Sequence, residues 1–233
     1  IHNFPFDDDP GWSVQGEWAF GRPTGGGTHN RDPDRGFTGF NVYGYNLSGD
    51  YPNNMTTTMF LTTTALDCTG VTGTELRFQR WLGVESARYD GAMLQASTDG
   101  ANWAMVWEHT GASISDASWQ AQQFDISAIA DDQPTVYLRW GMGPTDTSIT
   151  YPGWNIDDVE IWGLVPPPLL LGDMNCDGVV DTADIDGFVM ALVDPAGYAT
   201  AFPDCDHGLA DCNGDGQVDT ADIDAFVAAV IGG

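Results

Sequence analysis

Two stretches of this chain carry oxygen donors at a spacing that suits metal chemistry. Asp173, Asn175, Asp177, Asp181 and Asp184 stand at positions 1, 3, 5, 9 and 12 of a twelve-residue run, with Gly178 at position 6 and the Val179 carbonyl at position 7. The pattern recurs thirty-eight residues later as Asp211, Asn213, Asp215, Asp219 and Asp222, with Gly216 and the Gln217 carbonyl in the matching places. Hard oxygen ligands at this spacing wrap a hard divalent cation, and glycine at position 6 permits the sharp turn. The expectation is two bound Ca2+ ions, one per loop, with position 12 as the bidentate ligand. A merely solvated acidic loop has no need of Asp, Asn, Asp and Gly in register twice.

The loops depart from the EF-hand pattern in two ways. Position 12 is Asp184 or Asp222 instead of Glu, and Pro166-Pro167-Pro168 forbids a helix entering the first loop. Each loop runs instead into a single apolar-periodic segment, Ile185 to Val193 and Ile223 to Ile231. Two loop-helix units make one small domain over residues 173–233. This resembles the dockerin family, whose duplicated calcium repeats dock onto cohesin domains. The resemblance places part of the partner surface at loop positions 10 and 11, here Thr182-Ala183 and Thr220-Ala221. Because both repeats carry the same pair, a near-twofold surface is implied, although duplication alone would also leave identical residues.

The formal charge of the 233-residue chain is -27, from seven Arg, no Lys and an excess of Asp over Glu. Residues 172–233 hold thirteen Asp and no Arg, Lys or Glu. Such a surface repels nucleic acid and anionic membranes, and no apolar run is long enough to insert in a bilayer. The chain begins at Ile1, which suggests a removed signal peptide or a fragment boundary. Calcium loops serve best where calcium is abundant, so a secreted or cell-surface location is expected. Four cysteines, at 68, 176, 205 and 212, allow three full pairings in an oxidising compartment. Cys176 with Cys205 is favoured, since that bridge ties the first loop to the inter-repeat connection. Cys68 and Cys212 are then left to bridge the domains, join molecules or stay reduced; four free buried thiols are the alternative.

Residues 1–163 are Gly-rich, aromatic and broken into short alternating stretches, which predicts a mainly β fold: an antiparallel jelly-roll-like sandwich. In the strand around Leu76, Phe78, Arg80 and Leu82, the alternate residues Arg77, Gln79 and Trp81 face the other way. Continuous strands are expected at Trp12 to Phe20 and Met55 to Thr63, among others, and Asp99-Gly100 signals a tight hairpin. The run Ser97 to Trp103 and the segment Gly153 to Ile161 resemble jelly-roll modules related to MAM domains, which implies an adhesive or accessory role. Asp7-Asp8-Asp9 and Asp157-Asp158 are candidates for one more calcium site, against the simpler reading of a solvated acidic edge. All nine Trp lie in this domain; core packing is expected to use most of them, and an aromatic platform for a glycan is the sharper alternative.

Between the domains, residues 164–172 form a linker whose prolines favour a stiff spacer, followed by Leu169-Leu170-Leu171, which need cover. No nucleophile motif, zinc motif or phosphate loop is present, and an enzyme is not expected. The favoured expectation is a calcium-binding structural protein that assembles with other copies of itself, head to tail, into a filament or polymer. There the calcium domain and Leu169, Leu170 and Leu171 meet a neighbouring sandwich. The alternatives are a dockerin-type module attaching a cargo domain to a cohesin-like scaffold, and a glycan-binding adhesin.

Overall fold

The computed structural model describes residues 1–165 and 169–232 and divides the chain into two compact units, Ile1–Val165 and Pro166–Gly233. The spacer expected at Pro166-Pro167-Pro168 lies outside the described residues. The strands of the first unit are, in chain order, β1 (His2–Phe4), β2 (Ser13–Val14), β3 (Trp18–Gly21), β4 (Val42–Tyr45), β5 (Met59–Thr62), β6 (Thr72–Val84), β7 (Ala92–Ser97), β8 (Ala104–Glu108), β9 (Ile114–Ser115), β10 (Gln120–Asp125), β11 (Tyr137–Met142) and β12 (Gly153–Leu164). A short helix, α1 (Ser127–Ala130), lies between β10 and β11.

The strands form two antiparallel sheets, and the fold is mainly β. One sheet runs β10-β6-β12-β4-β3, with β1 on β12 and β9 on β6; the other runs β2-β5-β11-β7-β8. Alternation along β6 buries Leu76, Phe78, Leu82 and Val84, and β11 answers with Leu138, Trp140 and Met142. At the centre, the Trp12 ring stacks between Tyr43 and Trp140 at centroid distances of 5.3 and 5.8 Å. Trp12, Trp18, Trp140 and Trp154 are all buried, so core packing does consume much of the tryptophan.

The expected continuous strand from Trp12 to Phe20 is broken. Gly16 adopts φ +61° where a Cβ would meet Met59 Cγ and the Tyr45 hydroxyl at 2.8 Å, and the chain there crosses from one sheet to the other. Thus β2 pairs with β5, whereas β3 pairs with β4. The segment expected as a strand from Met55 is extended only over Met59–Thr62. In β12 the register shifts between Asp157 and Glu160, and Asp158 takes φ 45°. This bulge is what lets Ile156 and Val159, three apart, both face the core.

In the second unit, α2 (Ile185–Val193) and α3 (Pro195–Ala201) are separated by Asp194 alone, and two 3-10 turns lie between α3 and α4 (Ile223–Gly232). Pro195 opens α3 at a first-turn position where its missing N–H costs nothing, with Asp194 capping the Gly197 N–H. Phe188 of α2 and Phe226 of α4 stack face to face, 3.9 Å between centroids. Around them Met174, Ala191, Tyr198, Leu209 and Ala210 close a small core. Burying each phenyl ring contributes about 2–3 kcal/mol.

Leu164 ends β12, so the segment expected as linker is in part sandwich. At its other end Gly172 N donates to Leu209 O (2.8 Å) and Asp173 N to Leu170 O (2.9 Å). Those bonds fasten the leucine segment to the second unit. Within that unit Leu169, Leu170 and Leu171 remain 59%, 39% and 51% exposed, so they do not join its core.

Candidate functional site

Each acidic loop is held closed by its own carboxylates. Asp173 accepts from Asp177 N (3.1 Å) on Oδ1 and Gly178 N (2.9 Å) on Oδ2; Asp211 accepts from Gly214 and Asp215 N on Oδ1 and Gly216 N on Oδ2. Asn175 and Asn213 Oδ1 accept from Asp177 and Asp215 N, and those aspartates accept in turn from Val179 and Gln217 N. Gly178 and Gly216 take φ +88° and +86°, which is why glycine stands at position 6. The position-12 residues Asp184 and Asp222 are fully buried. Asp184 accepts from Met174, Asn175 and Asp181 N, and Asp222 from Asn213 and Asp219 N. Asp181 and Asp219 cap the turns that follow by accepting from Ala183 and Ala221 N at 2.7 Å. Four carboxylates are thereby gathered on each loop, in a segment whose sequence has no Arg or Lys to neutralise them.

Thr182, Ala183, Thr220 and Ala221 are exposed at the loop ends. Beyond them a feature emerges that helical periodicity alone did not separate from core. Ile185, Val189 and Val193 are 42%, 50% and 75% exposed, and their repeat counterparts Ile223, Val227 and Ile231 are 40%, 48% and 79% exposed. At i, i+4, i+8 spacing these form one outward apolar stripe per helix, while Phe188 and Phe226 supply the inward face. Cys176 and Cys205 form a disulfide with Cα atoms 5.9 Å apart. Cys68 is a free, buried cysteine of the sandwich; Cys212 is also free, and burial pushes its thiol up to about 11.

In the sandwich, the acidic residues proposed to meet are only partly brought together. Asp9 turns away to accept from the Tyr43 hydroxyl (2.5 Å) and Gly11 N, and Asp8 is exposed. Asp157 and Asp158, on the β12 bulge, instead meet the loop before β4: Thr38 N donates to Asp157 Oδ2 (3.1 Å) and the Thr38 hydroxyl to Asp158 Oδ1 (2.6 Å). A Cβ built on Gly36 would stand 2.2 Å from Thr38 O, 2.6 Å from Asp157 Oδ2 and 2.7 Å from Asn41 O. Residue 36 is therefore glycine for steric reasons: a side chain there would collide with all three oxygens. Burial pushes the Asp157 carboxyl up to about 7; burial also raises Asp158, helped by the charges of Glu160 and Asp7.

A second sandwich site was not located in the sequence. The register of the larger sheet puts Trp81 of β6 opposite Asn155 of β12, Asn155 opposite Gly44 of β4, and Gly44 opposite Ala19 of β3. On the other side Arg80 pairs with Gln120, which sets Trp119 beside Trp81, ring centroids 5.9 Å apart and nearly perpendicular. The loop before β4 lies over the Gly44 end of this row. Asn155 Nδ2 donates to Asp32 Oδ1 (2.7 Å), Asp32 N donates to Gly26 O, and Trp81 Nε1 donates to Arg31 O (2.8 Å). His29, Asn30 and Arg31 sit consecutively at φ 46°, 77° and 61°, a costly conformation for non-glycine residues, held by Ser115 of β9 through His29 O and Asn30 Nδ2. The result is an open cleft of about 510 Å³ lined by Trp81, Trp119, Phe37, Arg31, Arg35 and Asp32, among others. Asp32 is 4% exposed and its Oδ2 has no partner; burial pushes this carboxyl up to about 8. Aromatic faces beside planar hydrogen-bonding groups are suited to a flat, hydroxylated ligand.

No family model matches the chain. Bacillopeptidase F of Bacillus subtilis (strain 168) is 27% identical over 160 residues, which is 67% of this chain and 10% of that protein. The chain thus spans about a tenth of the length of that relative. Among solved structures, the K1 cleaved adhesin domain of Lys-gingipain from Porphyromonas gingivalis W83 aligns with a TM-score of 0.45 at 15% identity, over 70% of this chain and 98% of that one. A family 11 carbohydrate-binding module from Clostridium thermocellum, in complex with a beta-1,3-1,4-mixed-linked tetrasaccharide, gives 0.41 at 14% identity, over 69% and 94%.

Proposed function

We propose that this chain is a non-catalytic, extracellular adhesive module: the sandwich binds a polysaccharide in the Trp81–Trp119 cleft, and the C-terminal unit folds around two calcium ions to dock onto a protein. The observation that carries the glycan reading is the cross-strand row Trp119, Trp81, Asn155, with Asp32 unsatisfied beside it. A structural core has no reason to place two tryptophans side by side, one on the outward face of β6 and one just before β10, and to wall them with a strained loop. The calcium reading rests on the closed loops and their uncompensated carboxylates. No helix among the described residues is long and apolar enough to cross a membrane.

Binding is tested by affinity electrophoresis of the full chain through a panel of soluble plant and microbial polysaccharides. Retardation by at least one of them is expected, and Trp119→Ala should weaken it about tenfold, since truncating a central tryptophan removes about 1–2 kcal/mol. Trp81 is the poorer probe because its indole also holds Arg31. Absence of retardation across the panel, or an unchanged Trp119→Ala, would remove the cleft from consideration.

The duplicated stripe of Ile185, Val189, Val193 and Ile223, Val227, Ile231 favours protein docking as a second activity, because apolar stripes at this exposure are costly unless covered. The partner is a cohesin-like domain or a second copy of this chain. Sedimentation in calcium separates the two: concentration-dependent growth supports head-to-tail self-assembly, whereas a monomer at high concentration leaves the separate partner.

A further inference from the structure

Three carboxylates unrelated to the acidic loops or the cleft converge elsewhere in the sandwich. Glu85 follows β6, Asp90 precedes β7 and Asp146 follows β11, and one oxygen from each lies within 4.8 Å of the others. Glu85 is 7% exposed and Asp90 1%. The question is what satisfies them.

Asp90 is provided for: the Tyr51 hydroxyl donates to Oδ2 and Asp146 N to Oδ1 (2.9 Å). Asp146 is also provided for, by Ser148 N at 2.7 Å and the Ser148 hydroxyl at 2.9 and 3.0 Å. Glu85 is not. Among the described residues its one hydrogen-bond partner is that same Ser148 hydroxyl at 3.5 Å, which has a single proton and stands closer to Asp146. A carboxylate more than nine-tenths buried is therefore left with a single long, shared donor, facing two other carboxylates. Among the described residues none of the three makes an ion pair. His109 spends its Nε2 on the Glu85 carbonyl at 2.9 Å instead of the carboxylate.

A second unsatisfied oxygen lies in the same set of loops. Asn53 Nδ2 donates to Ser148 O (3.4 Å), while Asn53 Oδ1 is buried with no partner. Every unmet group here is an oxygen acceptor. A buried anion without a donor costs several kcal/mol, and a hard cation removes that cost. Oxygens sharing one calcium ion stand at most about 5 Å apart, twice the metal-ligand distance, and these three all lie within 4.8 Å of one another.

We propose that Glu85, Asp90 and Asp146 bind a calcium ion that fastens the loops after β6, before β7 and after β11 to one another. The site is independent of the duplicated loops, which lie in the other unit. Calcium bound per chain is measured by equilibrium dialysis on the full protein, wild type against Glu85→Gln, which keeps the shape and removes one charge. One ion fewer per chain is expected in the variant. Tryptophan fluorescence then follows melting of the sandwich in calcium and in chelator. In calcium Glu85→Gln should melt below the wild type; in chelator it should melt at or above it, because repulsion among three carboxylates is relieved. An unchanged calcium count, or a melting loss of the same size in both media, overturns the proposal. Should Glu85→Gln fail to fold in calcium, Asp146→Asn, at a half-buried position, is read by the same count.

Discussion

Asp32 offers a quantitative test of the cleft's electrostatics. Its carboxyl is pushed up to about 8 from 3.8, chiefly by burial, against the lowering effect of the Asn155 amide. In the unfolded chain the group ionises near its ordinary value, so between about pH 4 and 8 the folded protein holds a proton that the unfolded chain has released. Stability from this group is full below about pH 4 and is lost as pH rises toward 8. Each unit in that window costs about 1.4 kcal/mol. From pH 5.5 to 7.5 the loss is therefore about 3 kcal/mol, and over the whole window it approaches about 5–6 kcal/mol as an upper limit. Asp32→Asn keeps an oxygen for Asn155 Nδ2 and removes the ionisation. Urea unfolding, followed by tryptophan fluorescence in saturating calcium, gives the stability difference between variant and wild type at the two pH values. Asp157 also titrates in this range, but it is present in both proteins and cancels in the difference. The variant should gain about 3 kcal/mol more at pH 7.5 than at pH 5.5. A difference that does not change with pH would mean that Asp32 is ionised in the folded protein, and the picture of a neutral, unsatisfied carboxyl in the cleft would be wrong.

The other expectations concern the second unit. Asp184→Asn removes charge from the fully buried position-12 carboxylate and should weaken the first loop's calcium binding at least tenfold by calorimetry. Chelator should abolish the far-ultraviolet helix signal and leave the near-ultraviolet signal of the sandwich, because metal binding supports the small fold; a helix signal indifferent to chelator counts against the coupling. For docking, Val189→Asp and Val227→Asp occupy equivalent places in the two repeats. If either stripe suffices, each single variant should lose no more than about twofold in affinity for the partner or in self-association while the double variant loses nearly all, measured by sedimentation; one single variant abolishing association would show that the stripes are not equivalent.

How much of this was legible in sequence depends on how local each feature is. The closure of the two acidic loops was legible because every carboxylate and its backbone donor lie within twelve residues, so spacing alone fixes who meets whom. The inward alternation of β6 was legible for the same reason. The crossing at Gly16 was not: only the Tyr45 hydroxyl and Met59, brought in by β4 and β5, show why the strand must break there. Nor were the helix stripes, since Ile185 and Phe188 are equally apolar in the sequence, and which faces inward is settled by the stacking of Phe188 on Phe226.

The sites in the sandwich show the same limit more sharply. Asp32 and Asn155 are 123 residues apart, and Thr38 and Asp157 119. In a chain with thirty-four acidic residues, choosing such pairs by type alone carries no information. One sequence signal did exist for part of it. Ile156 and Val159 are both apolar with two aspartates between them, a spacing that no regular strand can bury on one face. A bulge is the solution: Asp157 keeps the outward side it shares with Asn155, and Asp158, at φ 45°, takes up the extra residue and turns toward the Thr38 hydroxyl. The cleft lacks even that signal: Trp81 obeys perfect alternation, and only the pairing register, which places Asn155 on one side of it and Trp119 on the other, distinguishes an aromatic platform from one more tryptophan on a strand.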